Sequence, residues 1–171
     1  TGRSGIFERL LDSIPDKVPG DLEVILALSM ARIAFVYLLF NWPPAGGSWV
    51  DVREVALRLA RAGHCVELFV PRFQKYYPRG RVDEDPGFPV HGIPCNRFTY
   101  NVYTLGRRLT RALEAFAPDA VFLCDGYFMK GALLPYLTRW PLVLRFYAYE
   151  LLCYNLHYYL YDEGRVCDGN F

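Results

Sequence analysis

"RIAFVYLLFNWPPAGGSWVDVREVALRLARAGHCVELFV", residues 32–70, changes its apolar period twice. Residues 32–39 are a continuous apolar run of strand length, the pattern of a strand covered on both faces. A loop with two prolines, two glycines and a serine follows. Beyond it Val52, Val55, Ala56, Leu59 and Ala60 recur at i, i+3, i+4, i+7 and i+8, which predicts an amphipathic helix. Ser48 followed by Asp51 reads as the helix start signal, and Gly63 as its stop. Residues 65–70 then form a second strand, joined so tightly that His64 is a turn residue. Strand, helix and strand in this order make a unit whose strands run parallel.

Downstream the alternation continues. Residues 71–87 are a long polar loop with three prolines, a solvated insertion or a functional loop. Residues 88–93 ("FPVHGI") read as a third strand, with His91 structural rather than catalytic. Val102, Leu105, Leu109, Leu113 and Phe116 mark a second helix that stops at Ala117-Pro118. Residues 119–126 are a strand running into a turn, 127–138 a short helix weakened by Pro135, and 141–147 a last strand. The predicted fold is α/β, a Rossmann-like parallel sheet with helices on both faces. In such sheets ligands bind beyond the carboxyl ends of the strands.

Upstream, residues 24–40 are apolar enough to imitate a membrane span, but Arg32 lies in their middle at a cost of roughly 2.5–3.5 kcal/mol on insertion scales. The stretch divides at Met30, where a nucleotide-fold domain could begin. The expected organisation is an extension over residues 1–29 and one Rossmann-like domain over 30–171. No secretory leader is evident. A chain of 171 residues that is 53% apolar and 22% charged can build one real core. Its net charge of +1 argues against a nucleic-acid partner. The five cysteines include no C-x-x-C pair, which fits reduced thiols in a cytoplasmic protein. Cys65 and Cys124 fall in strands expected to be buried; pairing or metal binding by Cys153 and Cys167 with His157 is disfavoured on spacing.

Gly46-Gly47-Ser48 lies between strand end and helix start, where free N–H groups and the helix dipole favour an anion such as phosphate. Glycines there let the backbone approach a ligand or adopt positive φ. The loop matches neither the dinucleotide nor the P-loop fingerprint, so a simple tight turn stands beside the phosphate reading. At the other strand ends Asp125, Arg145, Tyr147 and Glu150 are weak candidates. Arg145 suits bidentate phosphate pairing, Glu150 the positioning of a hydroxyl, and Tyr147 a hydrogen bond through its phenol. A phenol that titrates near 10 makes Tyr147 a poor base at neutral pH.

The opening strand, its Pro-Pro and Gly-Gly loop, the "LRLARAGHCVELFV" helix end and strand, "FAPDAVFLCDG" and "RWPLVLRFYAYE" together resemble glycosyltransferases of family 4 over residues 30 to about 152. The resemblance implies the GT-B architecture of two Rossmann-like halves, with this chain the N-terminal, acceptor-side half. It implies a nucleotide-diphosphate sugar as donor and a glycan, lipid or small molecule as acceptor. It also implies metal-independent, retaining transfer without a resident cofactor, and a cytoplasmic protein that can sit at the membrane surface. By position it makes Gly46, Gly47 and Ser48 the best binding residues. The donor site would belong to a C-terminal half, without which this half is expected to be inactive. Where many members carry a histidine, this chain has Tyr147-Ala148-Tyr149-Glu150. Residues 147–164 hold six tyrosines, suited to a packed helix, an interface or an aromatic acceptor platform. The competing readings are a non-catalytic Rossmann or flavodoxin-like binding module and a sugar-nucleotide epimerase of the same architecture.

Overall fold

A computed structural model describes residues 30–44, 46–73, 80–149, 151 and 159–166, with Tyr127 described for its backbone only. The chain divides into two compact units, Thr1–Met30 and Ala31–Phe171. The second is a five-stranded parallel sheet in the order β3-β2-β1-β4-β5. Its elements are β1 (Arg32–Val36), α1 (Gly47–Arg61), β2 (Cys65–Phe73), β3 (Val90–Cys95), α2 (Val102–Phe116), β4 (Ala120–Leu123), α3 (Lys130–Leu137) and β5 (Leu142–Leu144). A short antiparallel pair, β6 (Tyr159–Leu160) with β7 (Arg165–Val166), closes the described chain.

The apolar run of β1 makes it the central strand, with Ile33, Ala34, Phe35 and Val36 all fully buried. Because side chains alternate along a strand, β1 serves two cores. Ile33, Phe35 and Tyr37 face one core with Val52 and Ala56 of α1. Ala34, Val36 and Leu38 face the other with Leu105, Leu109 and Leu113 of α2 and Leu133 and Leu137 of α3. Helices therefore cover both faces, as predicted. In α1 the predicted stripe is displaced: Ala60 is exposed, while Trp49 and Leu57 join Val52, Val55, Ala56 and Leu59 against the core.

Several boundaries differ from expectation. The third strand starts at Val90, because Phe88 tucks into the α1 core instead of joining the ladder. The fifth is three residues long and half-buried throughout, as befits a sheet edge. Cys65, expected in a buried strand, is exposed because it opens β2 at the sheet's rim, whereas Cys124 is fully buried. His64 is the expected turn residue. Its Nδ1 accepts the Ala31 amide at 3.3 Å, and partial burial lowers its pKa, so the ring serves as a neutral acceptor. Cys153, Cys167, His157 and most of the tyrosine-rich segment lie outside the described residues.

The long 71–87 loop braces the Pro-Pro loop. Trp42 pairs with Val82 as an isolated parallel bridge, its amide donating to Arg81 O (2.9 Å) and its carbonyl accepting from Asp83 N (2.9 Å). Arg53 of α1 ties both together, donating to Pro86 O and stacking over the Trp42 ring at 4.8 Å. Gly80 permits this approach. Its φ is +74°, and a Cβ there would meet Pro71 O at 1.8 Å.

Candidate functional site

The strand order reverses direction between β1 and β4, and their carboxyl ends are locked by Leu38 N donating to Asp125 O at 2.8 Å. Such a reversal opens the crevice in which open parallel sheets take their ligands. The β1–α1 loop, the end of β4 and the end of β5 all reach this edge.

Three predicted residues meet there. Arg145, just beyond β5, places a guanidinium nitrogen 2.5 Å from Asp51 Oδ2 in α1 and donates Nε–H to the Tyr147 hydroxyl at 3.0 Å. Tyr147 donates its own hydroxyl to the same Asp51 oxygen at 2.5 Å. Its ring lies nearly parallel to Tyr37, centroids 6.2 Å apart, and the Tyr37 hydroxyl donates to Ser48 Oγ at 2.7 Å. Ser48, Tyr37, Tyr147, Asp51 and Arg145 thus form one chain of contacts from the start of α1 to the end of β5.

This arrangement corrects the reading of the helix start. Gly46, not Ser48, is the N-cap residue; its backbone is extended and no side chain caps α1. Ser48 is spent on Tyr37, and Asp51 on Arg145 and Tyr147. Nor does either glycine of the pair use left-handed conformational freedom: the described glycines with positive φ are Gly63, Gly80, Gly87 and Gly164. A Cβ added at Gly46 or Gly47 would touch nothing within 4 Å. Both residues are exposed and no side chain caps the helix among the described residues, so the first turn of α1 carries amides without an intrahelical partner.

The electrostatics separate the roles. Burial first, then the bond to Asp51, hold the Tyr147 phenol far above its ordinary range, so it remains a donor and cannot serve as a base. For Arg145 burial opposes the charge, but Tyr147 and Asp51 outweigh it and raise the guanidinium further. Cys124 is enclosed, and burial pushes its thiol well up, which removes it as a nucleophile. Arg145, Lys130, Asp125 and Asp51 are the charges that act on it. Asp125 lies just beyond β4, where its backbone carbonyl closes the β1/β4 lock. Glu150 lies outside the described residues.

Sequence reasoning missed Lys130, a fully buried lysine at the start of α3. Its Nζ donates to Cys124 O (2.8 Å) and to Arg145 O, and sits 4.5 Å from the centre of the Phe146 ring. One ammonium therefore ties the end of β4 to the residue that carries the site's guanidinium. Its signal was an isolated lysine in an apolar helix directly after a strand-end glycine. Asp51 had been assigned to the helix start, and Tyr37 to the core. Among the described residues no group of three or more His, Cys, Asp and Glu is placed to hold a metal ion.

An open parallel α/β sheet with helices on both faces defines the class of Rossmann-like domains. The sequence profile of the glycosyl transferase 4-like domain matches residues 46–167, more than half of the chain, and the chain belongs to that family. Among solved structures, it is similar to a universal stress protein family member from Burkholderia pseudomallei, with 14% identity, a TM-score of 0.39, and coverage of 68% of this chain and 96% of that one. No curated protein matches the chain.

Proposed function

We propose that this domain is the acceptor-side half of a nucleotide-sugar-dependent glycosyltransferase, moving a sugar from a nucleotide diphosphate to a glycan, lipid or small-molecule hydroxyl. The observation that carries the reading is the Ser48–Tyr37–Tyr147–Asp51–Arg145 cluster at the ligand edge of the sheet, in a chain of the glycosyl transferase 4-like family.

Transfer of this kind needs the leaving diphosphate stabilised as its charge develops, and fixed donors do this without reorganisation. The first-turn amides at Gly46, Gly47 and Ser48 and the guanidinium of Arg145 are the groups suited to it. Asp51 holds that guanidinium in place, and Tyr147 supplies a neutral hydroxyl donor. Asp125, just beyond β4, and Glu150, by its place in the sequence alone, are the candidates for positioning the acceptor hydroxyl. The donor nucleotide would rest chiefly on a second half of the same architecture. The enzyme would work in the cytoplasm without a resident metal or cofactor.

The test assays the full-length protein against a panel of nucleotide sugars, with Arg145→Ala as the site variant. Arg145→Ala is expected to lose on the order of 10²–10³ in kcat, the usual cost of one donor to a developing anion. Absence of both transfer and hydrolysis with every donor of the panel counts against the enzyme. Full activity in Arg145→Ala counts against this site.

A further inference from the structure

On the face of the sheet opposite α1, the edge strand β3 and α2 enclose an open groove of about 330 Å³. That volume falls within the range of small-molecule sites. Ile93 and Pro94 of β3 and Ala112 of α2 are its apolar lining, and His91, Arg108 and Arg111 its polar lining. The groove is separate from the Ser48–Arg145 cluster. β3 lies two strands from β1, whereas the cluster draws on α1 and the ends of β1 and β5.

The polar side chains are held, yet their binding capacity is not used up. Arg108 Nη1 donates to Pro94 O, and the same guanidinium bonds the buried Cys95 thiol, so the side chain is pinned from α2 to β3. A guanidinium carries five N–H groups, more than these two partners take. Arg111, exposed one turn further along α2, has no hydrogen bond or ion pair among the described residues. The His91 ring stacks on Phe69, centroids 5.2 Å apart, with Nδ1 3.4 Å from Glu67 Oε1, which fixes it as a wall. Residues 86–113 contain no aspartate or glutamate. Of the acids on the flanking elements, Glu67 is matched to His91 and Glu114 to Arg139. The positive charge of the two arginines is therefore left for a ligand.

Two guanidiniums beside an apolar floor complement an anion that carries an apolar body, since each planar fork can take two oxygens of a carboxylate or phosphate. We infer that the groove between β3 and α2 binds a small soluble acid, a carboxylate or phosphate ester with a short apolar body. Arg108 and Arg111 bond the acid group, while Ile93, Pro94 and Ala112 receive the body. An added β-strand does not suit this edge, because Pro94 offers no N–H and Arg108 already occupies its carbonyl. The site owes nothing to the glycosyl-transfer reading.

Phenyl phosphate is the probe, titrated into the full-length protein by calorimetry beside inorganic phosphate and benzyl alcohol. Saturable binding is expected for phenyl phosphate, about tenfold weaker binding for inorganic phosphate, and none for benzyl alcohol. In the native protein the amide NMR signals of Ile93 and Ala112 should shift as phenyl phosphate binds. Arg111→Gln should weaken binding by about tenfold, and Arg108→Lys, which keeps the charge but loses the fork, by about threefold. Arg107→Gln, exposed on the same helix but outside the groove, should leave it unchanged, and circular dichroism should show every variant folded. No saturable binding, amide shifts elsewhere than the groove, an equal loss in Arg107→Gln, or undiminished binding by Arg111→Gln overturns the inference. Binding lost in Arg145→Ala but kept in Arg111→Gln overturns it and places the anion at the polar cluster. Binding to phosphatidylglycerol vesicles without binding of phenyl phosphate overturns it too.

Discussion

Tyr147 shows how one residue's surroundings decide its chemistry. An exposed tyrosine titrates near 10, but this one is partly buried and donates to Asp51, which places its folded-state pKa above that of the unfolded chain. Below about pH 10 the phenol is protonated in both states and adds no pH dependence. As pH rises beyond that, the unfolded chain releases this proton first, so the folded state binds more protons and stability falls. Tyr147→Phe removes this contribution. Between pH 9 and 11 the urea midpoint of the variant should fall less steeply than that of the native protein. Parallel pH slopes would show that Asp51 does not hold the proton. The sequence flagged Tyr147 and Arg145 by their place after an apolar strand. It could not show that both converge on Asp51, because that convergence depends on how α1 packs against the end of β5.

At the scale of elements, α2 and its junctions test whether packing or propensity governs. Gly106 is buried in the helix interior, where alanine is intrinsically better by about 1 kcal/mol. Yet a Cβ at Gly106 would lie 2.7 Å from the ring of Tyr136 in α3, so the glycine lets two helices approach. Gly106→Ala should therefore destabilise by about 1–3 kcal/mol, the cost of overpacking, despite its better propensity. A rise in the thermal midpoint would mean that Tyr136 swings away freely. Ala117, after the last turn, sits at φ +50°, and its amide closes the helix on Leu113 O at 2.7 Å. Left-handed backbone strains any residue with a Cβ, so Ala117→Gly should stabilise by about 0.5–1 kcal/mol, read from urea unfolding. The contrast explains what was legible. The stripe of α2 and its stop at Ala117-Pro118 are local patterns, and the structure keeps them. The start of β3 and the cap of α1 were misread because Phe88 and Asp51 take partners remote in sequence.

Across the sheet, the strand order reverses at β1/β4, and Lys130 joins the end of β4 to the residue just beyond β5. The alternation of strands and helices was enough to predict this parallel sheet, since each element carries its own period. The lysine was not readable, because its meaning lies in two carbonyls just beyond different strands. Burying an ammonium is costly unless it is well paired, and here it bonds Cys124 O and Arg145 O with Phe146 over it. Lys130→Met preserves length and apolar volume but leaves both carbonyls without this donor. Relief from desolvating the charge offsets part of that loss, while the orphaned carbonyls cost about 1–3 kcal/mol each. A net destabilisation of about 3 kcal/mol is expected in chemical denaturation. The effect should extend to the site, because the same ammonium anchors the backbone that aims Arg145 at Asp51. Ligand affinity or turnover that depends on Arg145 should fall in Lys130→Met even at temperatures where the variant remains folded. A variant with native stability and native turnover would show that β4 and β5 are held together by their ladder alone.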